Sequence, residues 1–119
     1  MVRVAGATAT AEAVASLTYA VEHLGVGTVV VLGHTHCGAV TAALDEVDDP
    51  VIASLVEPIR AHLGPCEHLD CAVPAHVAAT VAAIANHPGP LAAAIRSGRL
   101  TAHGAVVDIA DGALIHLPT

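Results

Sequence analysis

Phenylalanine and tryptophan are missing from this 119-residue chain, and Tyr19 is its one large aromatic residue. A core without aromatic rings must be filled by Ala, Val, Leu and Ile, which lets helices approach closely. Lysine is missing too: the four basic residues are all arginine, against eleven acidic ones, for a formal net charge of −7. Such a chain has little to offer nucleic acid or an anionic membrane. No apolar run reaches the roughly 18 residues of a membrane-spanning helix, and no basic start leads into an apolar signal core. Three cysteines cannot all pair, which argues against a secreted disulfide scaffold and for a reduced, cytoplasmic setting. The length suits one domain over residues 1–119, with no internal repeat and no low-complexity linker.

Against these absences, one stretch stands out. Thr28-Val29-Val30-Val31-Leu32 is an apolar, β-branched run with glycines on both sides. It predicts a short strand buried on both faces of a parallel sheet. At its carboxyl end the apolar character stops and two metal-ligating residues appear, His34 and Cys37. Ligands of open α/β sheets gather at the carboxyl ends of strands. The His-x-x-Cys spacing lets one turn of chain aim an imidazole nitrogen and a thiolate at one point, and zinc suits that mixed pair. By itself the spacing is weak, because a cysteine after a strand is commonly a small hydrophobe and a lone histidine a satisfied polar group.

The rest of the chain alternates helices with turns. Residues 1–5 read as the tail end of a strand, followed by a turn over 6–10. Thr10 is placed as an N-cap, Val14, Leu17, Val21 and Leu24 mark a helical stripe, and Gly25 supplies the stop. A helix is predicted from Gly38 towards Glu46, then a solvated acidic stretch over 45–49. Residues 51–63 are helical in pattern, with Pro58 expected to kink or break them, and Gly64-Pro65 ends the segment. Cys66, Glu67, His68, Asp70 and Cys71 crowd one short loop; a second metal site competes there with a surface loop of incidental thiols, and the plain loop is preferred. Pro74 suits the first position of a helix over 75–86, with Val77, Val81 and Ile84 as its stripe. A short helix over 91–96 follows. Residues 100–109 read as a strand, Asp111-Gly112 as a tight turn and 113–117 as the second arm of a hairpin.

Gly33-His34-Thr35-His36-Cys37-Gly38-Ala39-Val40 resembles the G-H-[ST]-x-C-G-[AG] signature of the β-class carbonic anhydrases. Arg3-Val4-Ala5-Gly6, the Tyr19 to Val26 helix end and His103-Gly104-Ala105-Val106-Val107-Asp108-Ile109 resemble further segments of that family, in the same order. The resemblance runs from about residue 2 to residue 117. It implies an α/β fold, a mostly parallel sheet flanked by helices with a C-terminal hairpin. It also implies zinc-dependent hydration of carbon dioxide to bicarbonate, with zinc-bound hydroxide as nucleophile. His34 and Cys37 match one histidine and one cysteine ligand of the family's zinc. Arg3 matches an arginine near its bicarbonate site.

The family's other cysteine, with an aspartate and its partner arginine, lies in an earlier C-x-D-x-R on the first strand, and this sequence contains no such motif. No catalytic Asp-Arg pair is therefore assigned. The chain reads as an N-terminally incomplete member lacking the first strand, which would leave the edge beside residues 29–32 unpaired. Ala105 and Val107 stand where the family usually has aromatics, and His76 where it commonly has asparagine. The resemblance further implies a homo-oligomer, a dimer or larger. Tyr19 and His23 are expected to pack along their helix, His103 to make structural hydrogen bonds, and His36 to be a proton shuttle or an exposed bystander. The alternative to an enzyme is a catalytically inactive relative that binds metal or pairs subunits. A small metal-binding protein using the nine histidines stands well behind both.

Overall fold

A computed structural model of the protein describes residues 1–118. Helix α1 (Ala11–His23) begins where Thr10 accepts a hydrogen bond from the Ala13 amide, as its capping position predicts. Its end is set by Gly25, whose φ of +71° takes the chain through the left-handed region after the last turn. Strand β1 (Thr28–His34) leads into α2 (Gly38–Leu44) and α3 (Ala53–Ala61). Helices α4 (Leu69–Ala85) and α5 (Pro90–Arg96) follow, then strands β2 (Thr101–Val107) and β3 (Leu114–His116).

The sheet is small and mixed, in the order β1-β2-β3. β1 and β2 run parallel from Thr28↔Thr101 to His34↔Val107, and β3 returns antiparallel with Ala105 opposite His116. The crossover between the parallel strands carries α2 to α5. The longest of these, α4, lies across β1 and β2. Two glycines permit that approach. A Cβ on Gly33 would sit 2.5 Å from Val77 Cγ2, and one on Gly104 2.9 Å from Val77 Cγ1. Gly33, the glycine before His34, is thus a packing residue: any side chain there would push α4 off the strand that presents the histidine. Ile59, Leu91, Leu100, Val40 and Val77 form the most deeply buried apolar part of a core without Phe, Tyr or Trp. Each such side chain contributes about 1.5–3 kcal/mol by leaving water.

Several expectations are corrected. Val29 and Val31 are buried at 7% and 6% exposure, but Val30 and Leu32 are 56% and 50% exposed. β1 is therefore buried on one face only, against α4, while its outer edge is unpaired in the described sheet, as expected. Residues 1–4 form no strand; Val4 is extended, and a 3-10 turn over Ala5–Ala7 follows. α3 passes through Pro58 as one helix. α4 starts at Leu69, six residues before the predicted start, with Pro74 inside it. Burial of Ala72 and Val73 in its second turn offsets the backbone bond that the proline removes. Cys66 and Cys71 are not incidental thiols but a disulfide, leaving Cys37 as the free cysteine. No single helix among the described residues is long and apolar enough to cross a membrane.

Candidate metal centre

His34 is the last residue of β1 and Cys37 the N-cap residue of α2. The two residues between them make a tight turn in which His36 has φ +57°, a conformation that costs free energy for a side chain with a Cβ. The turn is held from β2: the Thr35 amide donates to the Val107 carbonyl at 3.0 Å, and Thr35 Oγ1 accepts from the Ile109 amide at 3.1 Å. Both candidate ligands line one groove that runs along the free edge of β1, and Arg3 lines it as well.

The two donors differ in availability. His34 is exposed, and its Nδ1 lies 2.7 Å from the Thr35 carbonyl, which can only accept. Nδ1 therefore carries the proton, and Nε2 is left with a free lone pair. Metal-ligating histidines are commonly fixed by this kind of backbone bond on the other ring nitrogen. Cys37 is 5% exposed and packs in the apolar core cluster, as a small hydrophobe would. Its sulfur is a donor only toward the groove. Among the described residues no cluster of three or more His, Cys, Asp or Glu side chains is placed to hold one metal ion. The donor set thus fits part of a zinc site in residue type and is short of the four ligands that zinc takes.

The other candidates are dispersed. Arg3 is exposed, and its Nε contacts Met1 Sδ at 3.1 Å. His36 is exposed. Tyr19 and His23 do pack along α1, with ring centroids 5.1 Å apart. The His103 ring makes no hydrogen bond with the described residues, contrary to expectation. The disulfide consumes the thiols of the Cys66 loop, so that loop offers no second thiolate site.

Sequence reasoning missed an imidazole pair in which His76 is buried and His62 half-buried. His76, on α4, is 2% exposed and bonded through both ring nitrogens. Its Nε2 donates to the Gly6 carbonyl at 2.7 Å, so its Nδ1 must accept from His62 Nδ1, 3.0 Å away. The two rings stack with centroids 5.2 Å apart. Burial pushes the His76 pKa below that of a free histidine; the Gly6 bond opposes this shift, and the neighbouring His62 charge adds to it. A signal existed: Val73, His76, Val77, Thr80 and Ile84 recur at helical spacing, and all are buried.

Compared with known proteins, residues 1–114 match the carbonic anhydrase family model. A carbonic anhydrase of Pseudomonas aeruginosa is 39% identical over 112 residues, covering 82% of this chain and 50% of that protein. Carbonic anhydrase 1 of Escherichia coli O157:H7 is 32% identical over 114 residues, covering 84% and 51%. This chain therefore spans about half the length of the curated relatives it matches. Among solved structures, the β-carbonic anhydrase CcaA shares the fold with a TM-score of 0.78 at 20% identity, over 98% of this chain and 66% of that one. One of two tetrameric β-carbonic anhydrases of Sordaria macrospora gives 0.75 at 24% identity, over 92% and 61%. The motif order, the mixed sheet with its hairpin and these matches agree, and the chain belongs to the β-class carbonic anhydrase family.

Proposed function

We propose that this chain carries the His34–Cys37 part of a zinc site for reversible hydration of carbon dioxide to bicarbonate. The observation that carries the reading is the position of the pair at the carboxyl end of β1, bordering one groove, with His34 Nε2 free. Zinc bound there would act as a Lewis acid that makes hydroxide available at neutral pH. The chain's own residues have separate tasks. The Thr35 carbonyl fixes the His34 ring, the apolar groove wall admits a small non-polar substrate, and Arg3 offers a cation for the bicarbonate anion. The ligands beyond His34 and Cys37 come from protein outside the described residues or from another subunit. The active assembly is a homo-oligomer, supported by the exposed Ile109, Leu114 and Ile115 of the hairpin and by the tetrameric neighbours. A cytoplasmic setting goes with this reading because it keeps Cys37 reduced. The Cys66–Cys71 bridge pulls the other way, since disulfides persist in oxidising compartments.

The second reading, a metal-binding or subunit-interaction module without catalysis, is favoured by one observation: no third ligand joins the pair among the described residues. Stopped-flow carbon dioxide hydration by the zinc-loaded protein separates the two. Zinc-dependent hydration that is lost in Cys37→Ser supports the enzyme. Stoichiometric zinc binding without hydration leaves the module.

A further inference from the structure

The turn that opens α4 is held differently from the rest of that helix. Its N-cap residue, His68, makes no side-chain capping bond. Pro74 has no N–H to give, so the Asp70 carbonyl one turn earlier has no helical partner. The first turn is therefore joined to the remaining helix by fewer main-chain bonds than a continuous helix has. Pro74 is also a residue that favours the first position of a helix. What holds the turn ahead of this weak point is the Cys66–Cys71 disulfide. Cys71 is the third residue of α4, and Cys66 lies in the loop before it. Cys66 is anchored: its amide donates to the carbonyl of buried Leu63 at 3.0 Å, and its side chain packs half-buried against the core cluster. Cys71 is exposed. The bridge thus ties a fixed loop to a turn otherwise held only by the packing of Leu69, Ala72 and Val73.

We infer that Cys66 and Cys71 are a reversible redox pair that sets where α4 begins. Oxidised, the helix starts at Leu69; reduced by a dithiol, it starts at Pro74, and residues 69–73 lose helical order. The exposed Cys71 sulfur is the point of entry. A thiolate of the dithiol attacks it, the Cys66–Cys71 bond breaks, and Cys66 leaves as a thiolate that takes a proton. The second thiolate of the dithiol then attacks its own partner sulfur in the mixed disulfide and frees Cys71, which is protonated in turn. Two electrons and two protons pass from the dithiol, which ends as a disulfide, to the protein, which ends with two thiols. Cys37, at 5% exposure, is shielded from the exchange. The change stays local, because β1 is paired with β2 residue by residue and neither bridge cysteine lines the groove beside His34. Such a pair also suits a reducing compartment, where the disulfides that occur are mostly transient or redox-sensing. This goes beyond the proposed activity and does not depend on it.

The test is amide hydrogen exchange by NMR on the native protein, first oxidised and then reduced with dithiothreitol. Dithiothreitol should open the bridge without unfolding the chain, and glutathione disulfide should restore it once the dithiothreitol is removed. Reduction should speed exchange at the Ala72 and Val73 amides by at least about tenfold and leave Val77 to Ile84 within about twofold. Cys71→Ser should show the reduced profile without any reductant. Pro74→Ala, which returns an amide to the Asp70 carbonyl, should hold the turn on reduction and cut the effect to under about threefold. A bridge that resists dithiothreitol until the protein unfolds, unchanged exchange at Ala72 and Val73, or equal acceleration along all of α4 would overturn the inference. So would full acceleration in reduced Pro74→Ala, since the weak point would then lie elsewhere than at the proline.

Discussion

His34 and His76 are the same side chain put to opposite uses. His34 stands exposed at the end of β1, with one ring nitrogen pinned by the Thr35 carbonyl and the other free. His76 is sealed inside, with both nitrogens engaged between Gly6 and His62. The first is held in position while keeping a lone pair to give; the second joins the residue 5–7 turn to α3 and α4 and has nothing left to give. An imidazole becomes a candidate ligand when the fold satisfies one nitrogen and stops there.

That contrast breaks most easily at His76. His76→Ala should lower unfolding stability by about 3 kcal/mol, because it opens a cavity and strands the Gly6 carbonyl and His62 Nδ1. Urea denaturation reads this directly; a loss under about 1 kcal/mol would mean that the pair is not the tie described here.

Acid provides a gentler probe of the same site. The pKa of His76 is lower folded than unfolded, so below about pH 6.5 the unfolded chain takes up a proton that the native state resists. Its contribution is fully present above that pH and is lost as pH falls towards the folded pKa. The groups facing the ring are the His62 imidazole and the Gly6 carbonyl. Stability should fall by up to about 1.4 kcal/mol per pH unit in this window, and His76→Asn should flatten the slope. An unchanged slope in that variant would assign the acid sensitivity to other groups.

The smallest stability effect belongs to His34. Its ring is exposed and makes only the local bond to Thr35, so His34→Ala in metal-free protein should change stability by no more than about 0.5 kcal/mol. A large loss in metal-free urea melts would make His34 a structural residue like His76.

Much of this was legible in the sequence. Thr10, Gly25 and Asp111-Gly112 mark real boundaries, because caps and turns are decided within a few residues. The strand ending in His34 was legible for the same reason, and the order of motifs led to the family. What escaped depends on contacts distant in sequence. Only the placement of α4 shows that Gly33 must lack a side chain, that His76 reaches Gly6, and that Val30 and Leu32 stay exposed. Pro74 misled because its local preference for a helix start gave way to burial of Ala72 and Val73. The Cys66–Cys71 pairing was hidden by an odd cysteine count that pointed away from disulfides.

His34 and Cys37 are the proposed zinc ligands, and the most direct measurement is zinc retained after equilibrium dialysis, compared across single variants. His34→Ala and Cys37→Ser should each abolish specific uptake, because a hydroxyl is a poor substitute for a thiolate. Cys66→Ser and Cys71→Ser, which break the disulfide and lie outside the groove lining, should leave it nearly unchanged. Equal losses at all three cysteines, or full retention in Cys37→Ser, would contradict the assignment.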